Sequence, residues 1–519
     1  MKKVLSATVI SVVMLFAIQQ AAFRQAGSKR RTVSIALSPA YKMILPSASQ
    51  NYIDSVIHDL IFSNLIGATY NGALFPELAE RWEVSANGRQ YSFTLRHHVR
   101  FHNGHPLTVQ DVFFTLEKLI ASEFPTYPEI HVIEGATNFI KGSSPRVSGL
   151  VRVNDYKFKI NLNRPSPSLL PFLANENTAI IPADFAGKSP ADFKNSPVGT
   201  GPFKFAGLEE KMLKHKKFMV LHLVRNSDFY APAGNVDEIE IFMLNTPIDI
   251  GTRLLFDLFF LSANEIPEIS AYPGFKIVNT PYNTVNCLVL NVNGNPILKN
   301  KHIRQLINYA INREELVQKI FYKQALPAHQ MIPTGLLGYN PYYRIDYRKA
   351  AAIFKRVNPQ GSRLNIQTVS NDNRLAVANF IRDELKKFNL QVTVSCVEDQ
   401  LYYFNKLIFE TPDSFIIGAI PDFPSPPAFL SQLIEITGLY NSTHYDFGSI
   451  TSLLQTFPVQ NIKKETETLA LVNRMLEEES VYIPLFYHSQ LLALREKVKK
   501  LIFKYSDVID FSQLEVSDE

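Results

Sequence analysis

The chain has little cysteine, little net charge and, past its first twenty residues, no long apolar run. Two cysteines in 519 residues, Cys287 and Cys396, exclude a disulfide-built scaffold and a thiolate metal cluster, and at most one bridge is open to them. No stretch after the N-terminal segment approaches 18 uncharged apolar residues, so nothing there reads as a membrane-spanning helix. The formal charge of +5 suggests an anionic partner until its location is considered. Lys2, Lys3, Arg24, Lys29, Arg30 and Arg31 lie within residues 1–31 with no acid among them, and removing those six charges leaves −1 for the rest. Nucleic-acid binding needs basic charge clustered on the folded body, and almost no excess remains to cluster, so no nucleic-acid partner is expected. There is no internal repeat and no low-complexity linker. What the chain does have is apolar material: 46% hydrophobic residues and 12% aromatics, with 37 Phe and 22 Tyr. That rules out a disordered chain and, at this length, calls for two or more cores.

Lys2-Lys3 followed by the apolar run Val4 to Ile18 has the charged and hydrophobic regions of a secretory leader. Gln19-Gln20 interrupt the run short of the roughly 20 residues a span needs. Residues 1–26 are therefore expected to be a signal peptide or an uncleaved anchor, and everything after them is expected to be exported and soluble.

Thr32 to Leu37 alternates as a half-buried strand, and Ile53, Val56, Ile57, Leu60 and Ile61 share a helix face. Tyr91 to Leu95 and Tyr156 to Ile160 read as strands of a sheet with one wet face. Thr108 and Asp111 stand at the reciprocal positions of a helix cap ahead of Phe113, Leu116, Leu119 and Ile120. Pro197-Val198-Gly199-Thr200-Gly201-Pro202 reads as a turn whose glycines are free to take positive φ; without a third glycine, a Lys-Ser/Thr ending or a following helix it is not a phosphate loop. Further on, Ile303, Leu306, Ile307, Ala310 and Ile311 mark one helix, and Asn312 caps the next, with Leu316, Ile320 and Phe321 on its face. Helices over 347–357 and 374–388 alternate with strands over 364–369 and 390–396, as in an α/β unit. Two lobes joined by several chain crossings fit this order.

The chemistry on offer is sparse. His97, His98, His102 and His105 are the most metal-like group, but a strand places them on opposite faces, and surface or hairpin positions account for them. No HExxH, Walker loop or Gly-x-Ser-x-Gly elbow is present, and Glu477-Glu478-Glu479 reads as a solvated helix face. One segment differs: an apolar strand from Phe415 runs into Asp422 and is stopped by prolines. A carboxylate there can be a turn or cap residue, or it can hold a ligand ammonium while the strand's edge holds the ligand backbone.

Several segments carry a resemblance. They are Pro76-Glu77-Leu78-Ala79-Glu80-Arg81-Trp82-Glu83-Val84, Tyr91 to Arg96, Phe101 to Thr108 with Asp111-Val112, Pro197 to Phe203, Ile303-Arg304-Gln305 with Ala310-Ile311-Asn312-Arg313, and Ile483-Pro484-Leu485-Phe486-Tyr487. In this order, over nearly all of residues 32–500, they resemble the peptide/nickel class of extracellular solute-binding proteins of ABC importers, which includes oligopeptide- and dipeptide-binding proteins. The resemblance implies an α/β, two-lobe periplasmic-binding-protein fold with an inserted subdomain in the first lobe. That first lobe would comprise 32–282 plus 490–519, with the insert at 66–185, and the second 283–489. Function would be capture of a peptide ligand by hinge closure and delivery to an ABC permease in the inner membrane, by a periplasmic, monomeric, non-enzymatic protein without metal or cofactor.

The resemblance also assigns residues. Asp422 falls where peptide-binding relatives pair an aspartate with the ligand's amino terminus. Gly418, Ala419 and Ile420 would pair with its backbone, Gln50, Asn51 and Tyr52 would touch it from the first lobe, and Arg374 lies near a position used for a ligand carboxylate. Two departures stand out: Ala419 replaces a common tryptophan, which would enlarge a pocket, and Phe256-Asp257-Leu258-Phe259-Phe260 replaces a Gly-Glu-Ile/Val-Asp segment. The alternatives are the same fold holding a nickel chelate, haem or a peptidoglycan-derived peptide and, less in keeping with the motifs, an exported hydrolase.

Overall fold

The structure, a computed structural model, describes residues 30–37, 45–48, 52–122, 128–244, 248–262, 265–321, 324–370, 372–398, 412–435, 441, 443–458, 461–505 and 509–517. The expected leader lies outside these residues. Among the described residues no helix is long and apolar enough to cross a membrane.

Two large sheets organise the chain. The first has seven strands in the order Phe275–Asn279, Leu491–Arg495, Leu258–Leu261, Thr32–Leu37, Glu238–Met243, Lys216–Arg225 and Phe203–Leu213. The second has six, in the order Ala325–Pro327, Tyr482–His488, Thr284–Leu290, Ser414–Ala419, Arg363–Val369 and Gln391–Val397. A third sheet of four antiparallel strands, Ala79–Val84, Gln90–Leu95, Lys157–Asn161 and Leu150–Asn154, is inserted between strands of the first. The chain passes between the two large sheets where Phe275–Asn279 leads into Thr284–Leu290 and where Tyr482–His488 leads into Leu491–Arg495. The fold is α/β and two-lobed, with an insert in the first lobe.

Alternation along one strand shows how the second sheet is covered. In Thr284–Leu290, Val285, Cys287 and Val289 enter one apolar cluster with Phe415 and Ile417, while Leu288 and Leu290 enter another with Leu306, Ile416 and Ile483. A strand buried on both faces reads as a nearly continuous apolar run, and this one does. Cys287 and Cys396 are both free. Three strand spacings separate the strands they occupy, about 14 Å at ~4.8 Å each, twice the reach of a disulfide.

Most expected elements sit within a residue or two of their sequence signals. Thr32–Leu37 is a strand; Lys301–Ala310, Arg313–Ile320, Arg348–Val357 and Asp372–Lys386 are helices; Arg363–Val369 and Gln391–Val397 are parallel strands. Asn312 caps its helix by accepting from the Glu315 N–H at 3.1 Å. Asp111 accepts from the N–H and hydroxyl of Thr108 at 2.8 and 3.0 Å, the acidic half of the expected cap.

Three expectations need correction. Gly199 and Gly201 do not take positive φ. They are glycines because a Cβ at either would lie 1.9 or 2.5 Å from Ile61 backbone, where the turn presses on the end of the Tyr52–Ile61 helix. Glu477 and Glu479 are not a solvated face: Glu477 accepts from the hydroxyls of Tyr309 and Tyr343, and Glu479 from Arg304, Lys301 and Tyr445. Ala419 has no exposed surface and packs in the apolar core with Val285 and Phe415, so its small side chain enlarges no pocket.

The Phe256–Phe260 departure is structural. Phe256 and Phe259 are core residues, and Asp257 accepts from the Ser34 N–H at 2.9 Å, Arg495 at 3.0 Å and Lys497 at 3.0 Å, joining N-terminal, internal and C-terminal strands of the first sheet.

Candidate ligand-binding cleft

The strand Ser414–Ala419 pairs with Thr284–Leu290 along its whole length, Ser414 opposite Leu290 and Ala419 opposite Val285. On its other side the ladder to Arg363–Val369 covers only Ser414 and Phe415. No further ladder pair with Arg363–Val369 is described beyond Phe415, and Gly418, Ala419 and Ile420 follow on that side. Gly418 is also closely overlaid, since a Cβ there would come within 3.2 Å of Asn286 Oδ1.

Prolines end the strand and start a helix. Pro426–Ile434 begins with two prolines, where the missing N–H groups cost nothing, and Ser425 caps it. Asp422 stands in this short junction, whose backbone is held by the first lobe: Asn175 Nδ2 donates to Asp422 O at 2.8 Å, the hydroxyls of Ser168 and Ser425 are 2.7 Å apart, and the Phe172 ring meets Phe423 edge-on at 5.4 Å. The lobes therefore touch around Asp422.

Between them lies a narrow cleft, partly continuous with solvent, lined by Asp422 from the second lobe and by Asp59, Asn64, Glu77, Glu176, Lys504 and Tyr505. Asn175 sets the spacing across it. Its Oδ1 accepts from the Asn177 N–H at 2.9 Å, forming the turn that carries Glu176, while its amide donates to Asp422 O.

Electrostatics in the cleft are one-sided. Solvent reaches Asp422, but the surrounding protein takes away much of its bulk water; this desolvation raises its carboxyl pKa, opposed by a hydrogen bond from Gln432. Glu176 is raised by burial and then by the charges of Asp422 and Asp54, against a 2.6 Å hydrogen bond from Ser55. Glu129 is raised to about 7 by burial and by Asp422 and Glu435, against Arg164. On the floor, Lys504 lies 2.6 Å from Asp59 and 3.1 Å from Glu77. Burial still raises Asp59 to about 7 against the Lys504 attraction, while the two acids hold the Lys504 pKa up against its own burial.

The cleft lining thus gathers Asp422 and places it at the end of the strand carrying Gly418, Ala419 and Ile420. Arg374 is not among the lining residues; it is half-buried near the start of its helix and lies close enough to His488 to help lower that pKa, after burial. Asn51, like Gln50, falls outside the described residues, and of Tyr52 only the helical backbone is described. Reading the sequence missed Glu176, Glu129, Asp59 and Lys504. Glu77 lay inside a quoted motif, whereas Lys504 meets it from 427 positions away with no local signal. The histidines do not converge. His97 stacks on Tyr156 and His98 is exposed, whereas His102 bridges to the 197–202 turn, accepting from Gly199 N–H at 3.3 Å and lying 3.1 Å from Gly201 O.

Comparison with known proteins agrees with this architecture. Residues 73–439 match the family model described as bacterial extracellular solute-binding proteins, family 5 middle. The dipeptide-binding protein of Escherichia coli K12 is 23% identical over 407 residues, covering 72% of each chain. Heme-binding protein A of Haemophilus influenzae is 22% identical over 496 residues, covering 90% of this chain and 87% of its own. The solved structure of the ABC transporter-associated periplasmic binding protein DppA of Helicobacter pylori, in complex with the peptide STSA, superposes with a TM-score of 0.72 at 22% identity, covering 96% of this chain and all of that one. With most of its length matched and both lobes accounted for, the chain belongs to the bacterial extracellular solute-binding proteins of family 5.

Proposed function

We propose that the protein is the receptor of an ABC importer, capturing short peptides between its lobes and presenting them to a membrane permease. The observation that carries this is the junction at Asp422, a carboxylate at the end of the strand Ser414–Ala419 inside a cleft lined by both lobes. The ligand's amino terminus pairs with Asp422, its backbone extends along Gly418–Ile420, and Arg374 beside His488, at the same end of the sheet, receives a carboxylate. Backbone pairing is indifferent to side-chain identity, which suits a receptor for many sequences. The lobes divide at 282/283 and 489/490, and the two crossings there act as the hinge. The N-terminal leader exports the protein, and the leader or its remnant sets whether the receptor is tethered. The dipeptide-binding relative and the peptide-bound structural neighbour support a peptide ligand, and the strand leading to Asp422 offers a backbone along which a peptide can extend.

Peptide binding by the purified protein, followed by calorimetry and thermal shift, tests the reading. Short peptides with a free amino terminus raise the melting temperature, N-acetylated ones do not, and Asp422→Ala weakens binding by about 100-fold, the ~3 kcal/mol of a charge-assisted contact. Equal affinity of free and acetylated peptides, or of wild type and Asp422→Ala, refutes the role of Asp422.

A further inference from the structure

The body of the chain is nearly neutral, yet the cleft is not. Of its charged lining residues, Asp59, Glu77, Glu176 and Asp422 are acidic and Lys504 alone is basic. Lys504 is already shared by Asp59 and Glu77. The acids belong to different lobes: Asp422 follows the strand Ser414–Ala419 of the second sheet, whereas Glu176 stands in a turn beside the Tyr52–Ile61 helix, hydrogen-bonded to Ser55 of that helix. Closing the cleft drives these charges together out of bulk water, where each raises the other's cost of ionisation. Glu129 and Glu435 add to the same field, with Arg164 opposing it.

A ligand bearing one ammonium compensates Asp422 and leaves Glu176 facing it across the gap. A compact divalent cation is disfavoured by the geometry, since no three carboxylate or imidazole groups among the described residues converge on a common point. The charge that fits is spread out: two positive groups several ångströms apart on one extended ligand.

We infer that the cleft selects peptides carrying a basic side chain at their first or second residue, with Asp422 receiving the α-ammonium and Glu176, from the opposite lobe, receiving the lysine or arginine head. This rests on the peptide-capture reading and refines it, from any short peptide to dipositive ones. The ligand then acts as the bridge that makes closure favourable: its two cations satisfy one carboxylate from each lobe, and each pair is strengthened by the exclusion of water as the lobes meet. Arginine makes the stronger head where the contact is bidentate.

The test measures affinities of the purified wild-type protein for Lys-Ala-Ala, Ala-Lys-Ala, Ala-Ala-Ala and Glu-Ala-Ala by calorimetry, with spermidine as a polycation lacking a peptide backbone. The better lysyl peptide is expected to bind about tenfold more tightly than Ala-Ala-Ala, the gain of one added charge-assisted contact, and Glu-Ala-Ala is expected to bind worst. In Glu176→Gln the ratio of lysyl to alanyl affinity falls to about one, and raising the salt from 50 to 500 mM narrows the ratio in wild type. Equal affinity for the lysyl, alanyl and glutamyl peptides overturns the charge inference while leaving peptide capture standing. Absence of binding by every peptide overturns peptide capture itself, and spermidine binding as tightly as the lysyl peptides overturns the backbone-reading site on which both rest. Because the peptide series uses wild-type protein, a misfolded variant leaves the inference testable.

Discussion

Replacing Ser168 by alanine isolates one contact between the lobes, which on the proposed reading belongs to the closed state. The Ser168 and Ser425 hydroxyls are 2.7 Å apart, and both residues are more than nine-tenths buried. A neutral hydrogen bond contributes about 1 kcal/mol net, and a buried partner left behind pushes the loss upward. Here the penalty is moderated, since Ser425 Oγ still accepts from the Ala428 N–H at 3.4 Å as a helix cap. A loss of about 1 kcal/mol falls on the closed state and weakens ligand affinity about fivefold, mostly through faster release. Calorimetry gives the affinity and stopped-flow displacement the release rate, while thermal melting of the unliganded protein reports whether the fold itself has lost anything. Unchanged affinity refutes the assignment of this contact to closure. A melting temperature lowered as much without ligand as with it does so equally, because it would make the contact part of the resting fold.

Three further predictions follow from buried charge. Arg313 has no exposed surface and donates to Pro484 O, Asn308 O, Ile311 O and Asn308 Oδ1 at 2.6 to 2.9 Å, so Arg313→Met leaves four acceptors stranded and should cost about 4 kcal/mol in urea-induced unfolding; a loss under 1 kcal/mol would show the network to be dispensable. Burial lowers the His102 pKa from 6.5 to about 4, so the folded state resists a proton that the unfolded chain accepts, and the stability this residue contributes is present above pH 6.5 and lost as pH falls toward 4. His102→Gln should therefore flatten the decline in stability over that window, by up to about 3 kcal/mol at its acid end, and an unaltered slope would contradict it. Peptide affinity should fall as pH is lowered from 7.5 to 5, because burial raises the carboxyl pKa of Asp422 and of Glu176, which must be ionised to receive cations, and Glu129, raised to about 7, adds to the same loss. A flat affinity profile over that range would mean that these carboxyls take no part.

How far the sequence could be read depended on the range of the interaction involved. Thr32–Leu37 and the capped helix after Asn312 were legible because alternation, helical spacing and caps are written within a few residues of each other. Asp422 was legible as a strand-end carboxylate, whereas the docking of its junction on Ser168, Phe172 and Asn175 was not, since those partners lie about 250 positions away. The acid run Glu477 to Glu479 was misread because its partners Tyr309, Tyr343, Arg304 and Tyr445 lie 34 to 175 positions away. Gly199 and Gly201 carry the same lesson. Glycine can mean freedom of φ or room for an approaching backbone, and only the position of Ile61 decides between them. Glu176 had no legible signal at all, since its importance comes from facing a residue 246 positions later on another lobe.

The segments that carried the family resemblance turn out to build the frame more than they touch the cleft. Arg96 donates to Glu77 O at 2.6 Å, Arg304 ties its helix to Glu479, and Arg313 ties its own to the strand Tyr482–His488. Glu77 is the exception, reaching the cleft floor through Lys504. The residues that meet across the cleft come instead from stretches with no motif of their own, the turn at Asn175–Thr178 and the junction at Asp422–Ser425. A frame of this kind fixes how the lobes hinge and close, and it does so for any cargo. What the closed cleft accepts is then set by the few side chains that closure brings together, here carboxylates from both lobes. On the proposed reading, the shared frame supplies the closing machinery and the charge balance across the cleft selects the ligand that holds it shut.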